Sequence, residues 1–314
     1  MLKKSALRRI MVSSIALIIV SVLYFFPNEE EFAKIKQDVE YVSVHEAPIY
    51  LINPEEYVVR TNIATTSEDT LTLVKEMIDA LTEGSAKEEY ISEHFSTVIP
   101  KGTTIIDLSL ENGLLKIDFS KDILNVSKDR EEKLIESLVY TLTEIEGIDE
   151  IMIFVEGEKL DVLPQSNIKL PNTLDRSYGI NKVYDITNLK DLTKTTVYYI
   201  GEFNDLVYYV PVTRLENDTG KDKIEIIIDE LKSSPIYETN LMSYLASSVE
   251  LESYEELENQ VTLSFNNAIF DDFNEQNILE EVKYSISLSI QDTLNVEEVI
   301  FKVDDEVIET FTES

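Results

Sequence analysis

About 150 residues after its first appearance, the same order of elements returns in this chain: an aromatic-flanked strand, an amphipathic helix, a strand pair ending in Phe, a second helix and a closing strand. A 314-residue chain that repeats itself in this way is constrained to two copies of one fold, each long enough to bury its own core. Ile49-Tyr50-Leu51 answers to Val197-Tyr198-Tyr199, and Tyr57-Val58-Val59 to Tyr208-Tyr209-Val210. Val74, Met77, Ile78 and Leu81 fall at i, i+3, i+4 and i+7, as do Ile224, Ile227, Ile228 and Leu231, so each copy is predicted to carry a helix with one apolar face. Leu115-Lys116-Ile117-Asp118-Phe119 and Val261-Thr262-Leu263-Ser264-Phe265 alternate with period two and read as half-buried strands.

The repeat also decides a segment that one copy leaves ambiguous. Tyr284 to Ile290 alternates like a strand, but its partner positions Leu134, Ile135, Leu138, Val139 and Leu142 lie at helical spacing, so both segments are read as helices. Ser67 is a candidate cap for the first helix, and Asn112-Gly113 is a strong hairpin-turn signal. Helices with one apolar face beside a few strands predict an α+β fold: two tandem two-layer domains, each a small sheet of three to four strands with two helices packed on one face. The predicted boundaries are 41–163 and 192–312. Residues 164–191, rich in Pro, Asn and Ser, read as a linker.

At the N-terminus, residues 1–9 carry Lys3, Lys4, Arg8 and Arg9 without an acid, and residues 10–26 hold no charge. A helix over that run is about 26 Å long, enough for one membrane crossing. Val22-Leu23-Tyr24-Phe25-Phe26-Pro27 offers no small-residue cleavage site, so the run is read as a retained anchor. Residues 1–9 then form a cytoplasmic basic tail, 27–40 a juxtamembrane segment, and the two domains are extracytoplasmic on a single-pass cell-membrane protein. Beyond the tail, 23 bases face 61 acids. Such a body repels phosphate backbones and argues against nucleic-acid partners. With no cysteine, the chain has neither disulfides nor thiolate metal sites.

Residue patterns that carry chemistry are sparse. His45 and His94 share no ligand spacing, and the eight glycines form no phosphate-cradling loop. Ser166-Asn167-Ile168-Lys169 matches a Ser-x-x-Lys pattern, and Lys194-Thr195-Thr196 faintly matches its companion strand, but this serine lies in the Pro-bounded linker rather than at a helix start. Asp271-Asp272-Phe273-Asn274-Glu275 lacks the order of a calcium loop. Tyr50, Tyr57, Tyr198, Tyr199, Tyr208 and Tyr209 are aromatics suited to packing on strands, with a glycan platform as the alternative. No catalytic, cofactor-binding or metal residue is assigned, and the chain is expected not to be an enzyme.

Pro100-Lys101-Gly102-Thr103, the strand Ile105 to Leu110 and Asn112-Gly113-Leu114-Leu115-Lys116-Ile117-Asp118-Phe119-Ser120 resemble the core of the GerMN domain of sporulation and spore germination proteins. Leu138-Val139-Tyr140-Thr141-Leu142-Thr143 and the strand Ile148 to Val155 are similar to that domain's second helix and closing strand. The second copy resembles it less: Ser233-Ser234-Pro235 stands near the position of Gly84, and Asn259 where the first copy has Gly113. The resemblance implies a non-enzymatic role in endospore formation and germination, in the transenvelope channel between mother cell and forespore. It also implies a domain like the ring-building motifs of secretion systems, with protein partners in a membrane complex and a homo-oligomer or ring. The alternative is an extracytoplasmic module that binds cell-wall glycan or a small ligand.

Overall fold

Each copy begins with a β-hairpin whose first strand has a stretch buried on both faces, and that composition sets the architecture. In the first copy the hairpin is β1 (His45–Ile52) and β2 (Val58–Thr65), followed by α1 (Thr70–Ala80), β3 (Ile105–Glu111), β4 (Leu114–Phe119), α2 (Lys128–Leu142), β5 (Glu150–Val155) and β6 (Glu158–Lys159). A short β7 (Val183–Asp185) lies in the linker. The second copy runs β8 (Leu192–Phe203), β9 (Leu206–Asn217), α3 (Lys223–Lys232), β10 (Leu251–Leu257), β11 (Gln260–Phe265), β12 (Phe270–Asp272), β13 (Asn277–Ile278), α4 (Glu280–Leu294), β14 (Glu298–Val303) and β15 (Glu306–Thr312). The computed structural model describes residues 45–204, 206–233, 241–272 and 276–312. The expected tail, anchor and juxtamembrane segment (1–9, 10–26, 27–40) lie outside the described residues. Among the described residues no helix is long and apolar enough to cross a membrane.

The expected arrangement, one small sheet per copy with both helices on one face, is corrected by the strand pairing. The two hairpins leave their own copies and join one shared sheet in which β2 meets β9, antiparallel, at Arg60 and Tyr209. β1 and β8 are its outer strands, and β7 runs parallel to β9 beyond the reach of β2. The remaining strands form one outer sheet per copy, β3-β4-β5-β6 and β10-β11-β14-β15, with β4 parallel to β5 and β11 parallel to β14. Burial explains the split. Ile49–Ile52 of β1 and residues 195–201 of β8 are buried without alternation, as in a strand covered on both faces. β4 instead buries Leu115, Ile117 and Phe119 and leaves Leu114, Lys116 and Asp118 half-exposed, so its sheet is covered on one face.

The long helices are the middle layer. α2 packs on β1 and β5, and α4 on β8 and β14. The single apolar face expected of α2 is therefore corrected too: residues 134–142 are all buried. Its polar residues look outward-facing in sequence because they serve the edges of the central sheet. Ser137 Oγ donates to the Tyr50 carbonyl, and the Tyr50 N–H donates to Thr141 Oγ1 at 3.0 Å. In the second copy the Tyr198 N–H donates to Ser289 Oγ at 2.8 Å, and the Thr196 N–H to Thr293 Oγ1 at 3.0 Å. Helix hydroxyls thus protect two strand edges that would otherwise expose unpaired backbone. One of the serines that made residues 284–290 look strand-like, Ser289, together with Thr293, lets α4 do this.

At the turns, Asn112 and Gly113 have φ of 52° and 79°, the paired left-handed conformation of a type I′ hairpin. A Cβ at Gly113 would meet the Asp149 carboxylate at 2.0 Å. The cap of α1 is Asp69, whose side chain accepts from the Thr72 N–H at 2.9 Å, rather than the expected Ser67. Ser67 instead gives its N–H to Glu76, which also accepts from the Thr66 N–H and the Lys87 ammonium. Burial of Glu76 opposes its ionisation, but these donors outweigh it and lower its pKa to about 2. A carboxylate depressed in the fold contributes stability above its unfolded pKa that is lost as pH falls toward its folded one. Glu76→Gln should therefore cost about 2 kcal/mol at pH 7. In urea titrations of the two proteins, the gap should narrow between about pH 4.5 and pH 2.

Candidate functional site

Tyr50 on β1 and Tyr198 on β8 occupy equivalent positions 148 residues apart, and their hydroxyls meet at 3.0 Å beside the junction of the two copies. Each donates at 2.7 Å to a carboxylate just beyond the buried stretch of its own helix: Tyr50 to Glu144, after α2, and Tyr198 to Asp292 of α4. Both carboxylates are nearly inaccessible, with side chains 6% and 4% exposed. Two buried negative charges so close would not persist without a counter-charge. The linker supplies it. Arg176 donates through NH2 to Glu144 at 2.9 Å, to Tyr50 Oη at 2.9 Å and to Tyr198 Oη at 3.3 Å, and through Nε to Asp292. Its guanidinium lies 4.7 Å from the centre of the Tyr140 ring, and the Tyr140 hydroxyl donates to the Arg176 carbonyl at 3.1 Å.

The linker reaches this point because α2 fastens it along its length. Glu131 accepts from the Gln165 and Ser166 N–H groups, and Glu136 from the Asn181 N–H and Lys182 Nζ. Asn181 then bridges the central strands, donating to the carbonyls of Val58 and Pro211 and accepting from the Val58 N–H. Burial pushes the pKa of Glu136 up despite Lys182.

The two junction carboxylates shift in opposite directions. Burial opposes ionisation of both, but Glu144 has Arg176 and also Arg60, 3.7 Å away, and its pKa is lowered. Asp292 has Arg176 alone and its pKa is raised by burial. The cause lies in the repeat: Arg60 pairs across the strands with Tyr50, and the residue that pairs with Tyr198 is Pro211. Burial also raises both tyrosine pKa values well above the usual phenol value, so the pair stays protonated. Above the cluster opens a groove of about 590 Å³, lined by residues 143–149 after α2, by Gln291 and Asp292 of α4 and residues 295–297 after it, together with Arg176, Tyr198 and Asn259.

The residues singled out in the sequence lie elsewhere or inside the framework. Tyr50, Tyr198, Tyr199 and Tyr208 are buried, which removes them as a glycan platform. His94 stacks edge-on against Phe203, His45 is exposed, and among the described residues no group of three or more acids and histidines could hold a metal ion. Ser166 sits in the linker with its N–H tied to Glu131. Arg176, Glu144 and Asp292 were not anticipated. The signal for the two carboxylates was polar agreement between the copies, since Tyr50 and Tyr198, Thr141 and Ser289, and Glu144 and Asp292 all repeat at one separation, whereas Arg176 has no counterpart.

Removing the arginine should be costly. Arg176→Met leaves two buried carboxylates without their main counter-charge and is expected to lower stability by about 3–5 kcal/mol at pH 7. Without Arg176 the folded pKa of each carboxylate lies above its unfolded value, so the loss should shrink as pH drops toward 4. Adding Glu144→Gln and Asp292→Asn should recover part of it, measured by urea titration of the full chain.

A family model described as Germane, sporulation and spore germination, matches residues 48–161 and 196–309, one match per copy. The chain is 32% identical over 262 residues to the spore germination protein GerM of Bacillus subtilis (strain 168), covering 81% of this chain and 70% of that protein. It is also similar to the solved structure of the tandem GerMN domains of the sporulation protein GerM from Bacillus subtilis, with a TM-score of 0.77 and 28% identity over 87% of this chain and 98% of the other. A protein that repeats one domain twice, matches that family with both copies and shares the tandem arrangement of a solved relative belongs to the Germane family of sporulation and spore germination proteins.

Proposed function

We propose that the chain is a non-catalytic, membrane-anchored extracytoplasmic assembly protein of sporulation, working among protein partners in a transenvelope complex between mother cell and forespore. The observation that carries this reading is the pair of one-sided outer sheets. In the first, Met152 and Phe154 of β5 stand half-exposed beside Lys116 and Asp118 of β4, while Ile151 and Ile153 on the other face are buried. The second outer sheet repeats the pattern, with Ile300 and Lys302 half-exposed between buried Val299, Phe301 and Val303. A half-exposed face of this mixed composition suits contact with another subunit. The buried junction holds the two faces in fixed relation, as a bridging subunit requires. The charged groups of that junction are spent on one another, which favours a structural part for them over acid–base chemistry. Anchoring through residues 10–26 and closure into a ring belong to the same proposal.

The test is a fluorescent fusion followed through sporulation, with capture of membrane partners from the same cells. Enrichment at the membranes between mother cell and forespore is expected, and uniform staining of the vegetative envelope would overturn the reading. A Met152→Glu/Phe154→Glu variant should keep its thermal midpoint within about 4 °C, since neither side chain is in the core. It should also lose at least one captured partner. Capture unchanged by the double substitution would remove this face from the interface.

A further inference from the structure

We propose that the groove between the C-terminal ends of α2 and α4 receives a lysine- or arginine-bearing segment of a protein partner. This rests on the assembly reading above and names the chemistry of the contact. Both helices end at the groove, at Leu142 and Leu294, and neither has a basic residue in its last turn. Each therefore directs the negative end of its dipole and its last carbonyls at the opening, where a cation is the natural complement. Glu146, Asp149 and Glu297 line the same opening, are exposed, and have no ion-pair partner among the described residues. Among the described residues the base in the lining is Arg176, already committed to Glu144 and Asp292.

A second observation points the same way from inside. Gln291 lines the groove and is only 9% exposed. Its amide orientation is fixed by Nε2, which donates to the Glu297 carbonyl at 2.7 Å, and its Oε1 is a buried acceptor with no donor among the described residues. That oxygen is closed to solvent, so an entering N–H donor would reach it as the Gln291 side chain turns toward the groove, and would then satisfy an acceptor that the fold leaves unmatched.

The spacing of the charges selects the kind of cation. No three acids among the described residues converge closely enough to hold a metal ion. Carboxylates spread along a groove of about 590 Å³ instead suit an extended chain carrying several separated positive charges. Because the lining comes from both copies, a single copy would present only half of it.

The probe is a labelled hexapeptide alternating lysine and glycine, titrated by fluorescence anisotropy into the full-length chain, with spermine and calcium as competitors. Glu146→Gln/Glu297→Gln removes two groove charges from exposed positions and should weaken the peptide by about tenfold. Glu255→Gln/Glu256→Gln removes the same charge from exposed positions on β10 and should change affinity by less than twofold. Equal losses in the two variants would show attraction to the acidic body as a whole and overturn the proposal. So would the absence of peptide binding, or binding of spermine or calcium with no competition against the peptide. Selective peptide binding by a protein that localises to the vegetative envelope would leave the groove standing and sink the sporulation reading; correct localisation without peptide binding would do the reverse.

Discussion

One linker arginine, shared by two buried carboxylates, is the constraint on which the tandem arrangement rests. Glu144 and Asp292 lie where no solvent can stabilise them, and Tyr50 and Tyr198 each donate one hydrogen bond, too little to compensate an isolated buried charge. Arg176 can bond to both carboxylates only when the two long helices end side by side over the shared sheet. The hydrophobic effect brings the hairpins together but is indifferent to their register, since apolar contact is non-directional. The guanidinium fork and the bridging amide of Asn181 supply the direction, and both belong to the segment that composition marks as a linker.

The duplication has diverged at this junction in a physically consistent way. Tyr50 and Tyr198, Glu144 and Asp292, and Thr141 and Ser289 keep their roles. Around them the second copy has Pro211 where the first has Arg60, and Leu288 where the first has Tyr140. Of Tyr50, Tyr198, Arg60 and Tyr140, which steady Arg176 or its carboxylates, three thus come from the first copy, and Arg60 is why Glu144 is held ionised while Asp292 is not held as firmly. A single counter-charge cannot serve two equal sites equally.

Periodicity made the local structure legible and left the assembly of that structure illegible. The stripes at Val74 and Ile224 became α1 and α3, the serine-rich segment after Tyr284 became α4, and Asn112-Gly113 became the tight turn, because each depends on neighbours close in sequence. The shared sheet depends on Arg60 meeting Tyr209, a pairing that no repeat period encodes. The polar residues of α2 misled for the same reason. Ser137, Tyr140, Thr141 and Glu136 fall outside the apolar face predicted from Leu134, Ile135, Leu138, Val139 and Leu142, yet they are buried against strand edges and the linker. A polar residue that bonds to backbone inside a protein has the same hydropathy as one that bonds to water. What separates them here is agreement between the copies, because a solvated face has no reason to keep Tyr, Thr or Ser, and a carboxylate at one fixed separation.

The same reasoning divides the 61 acids into two populations. Glu76, Glu131, Glu136, Glu144 and Asp292 are bound to backbone donors, lysines, arginine or tyrosine hydroxyls, and their charge is consumed in holding segments together. Glu146, Asp149 and Glu297 sit only a few residues from Glu144 and Asp292, in the turns that follow the same helices, yet they meet no cation among the described residues. Folding gives no account of them, and with Arg176 already committed to Glu144 and Asp292, the negative ends of two helices beside them add to the local repulsion. Acids that serve only solubility could stand anywhere on this surface. Exposed acids such as Glu255 and Glu256 on β10 fit that description, whereas Glu146, Asp149 and Glu297 come from both copies and meet above the cluster that fixes the junction, so their charge faces a groove with defined walls.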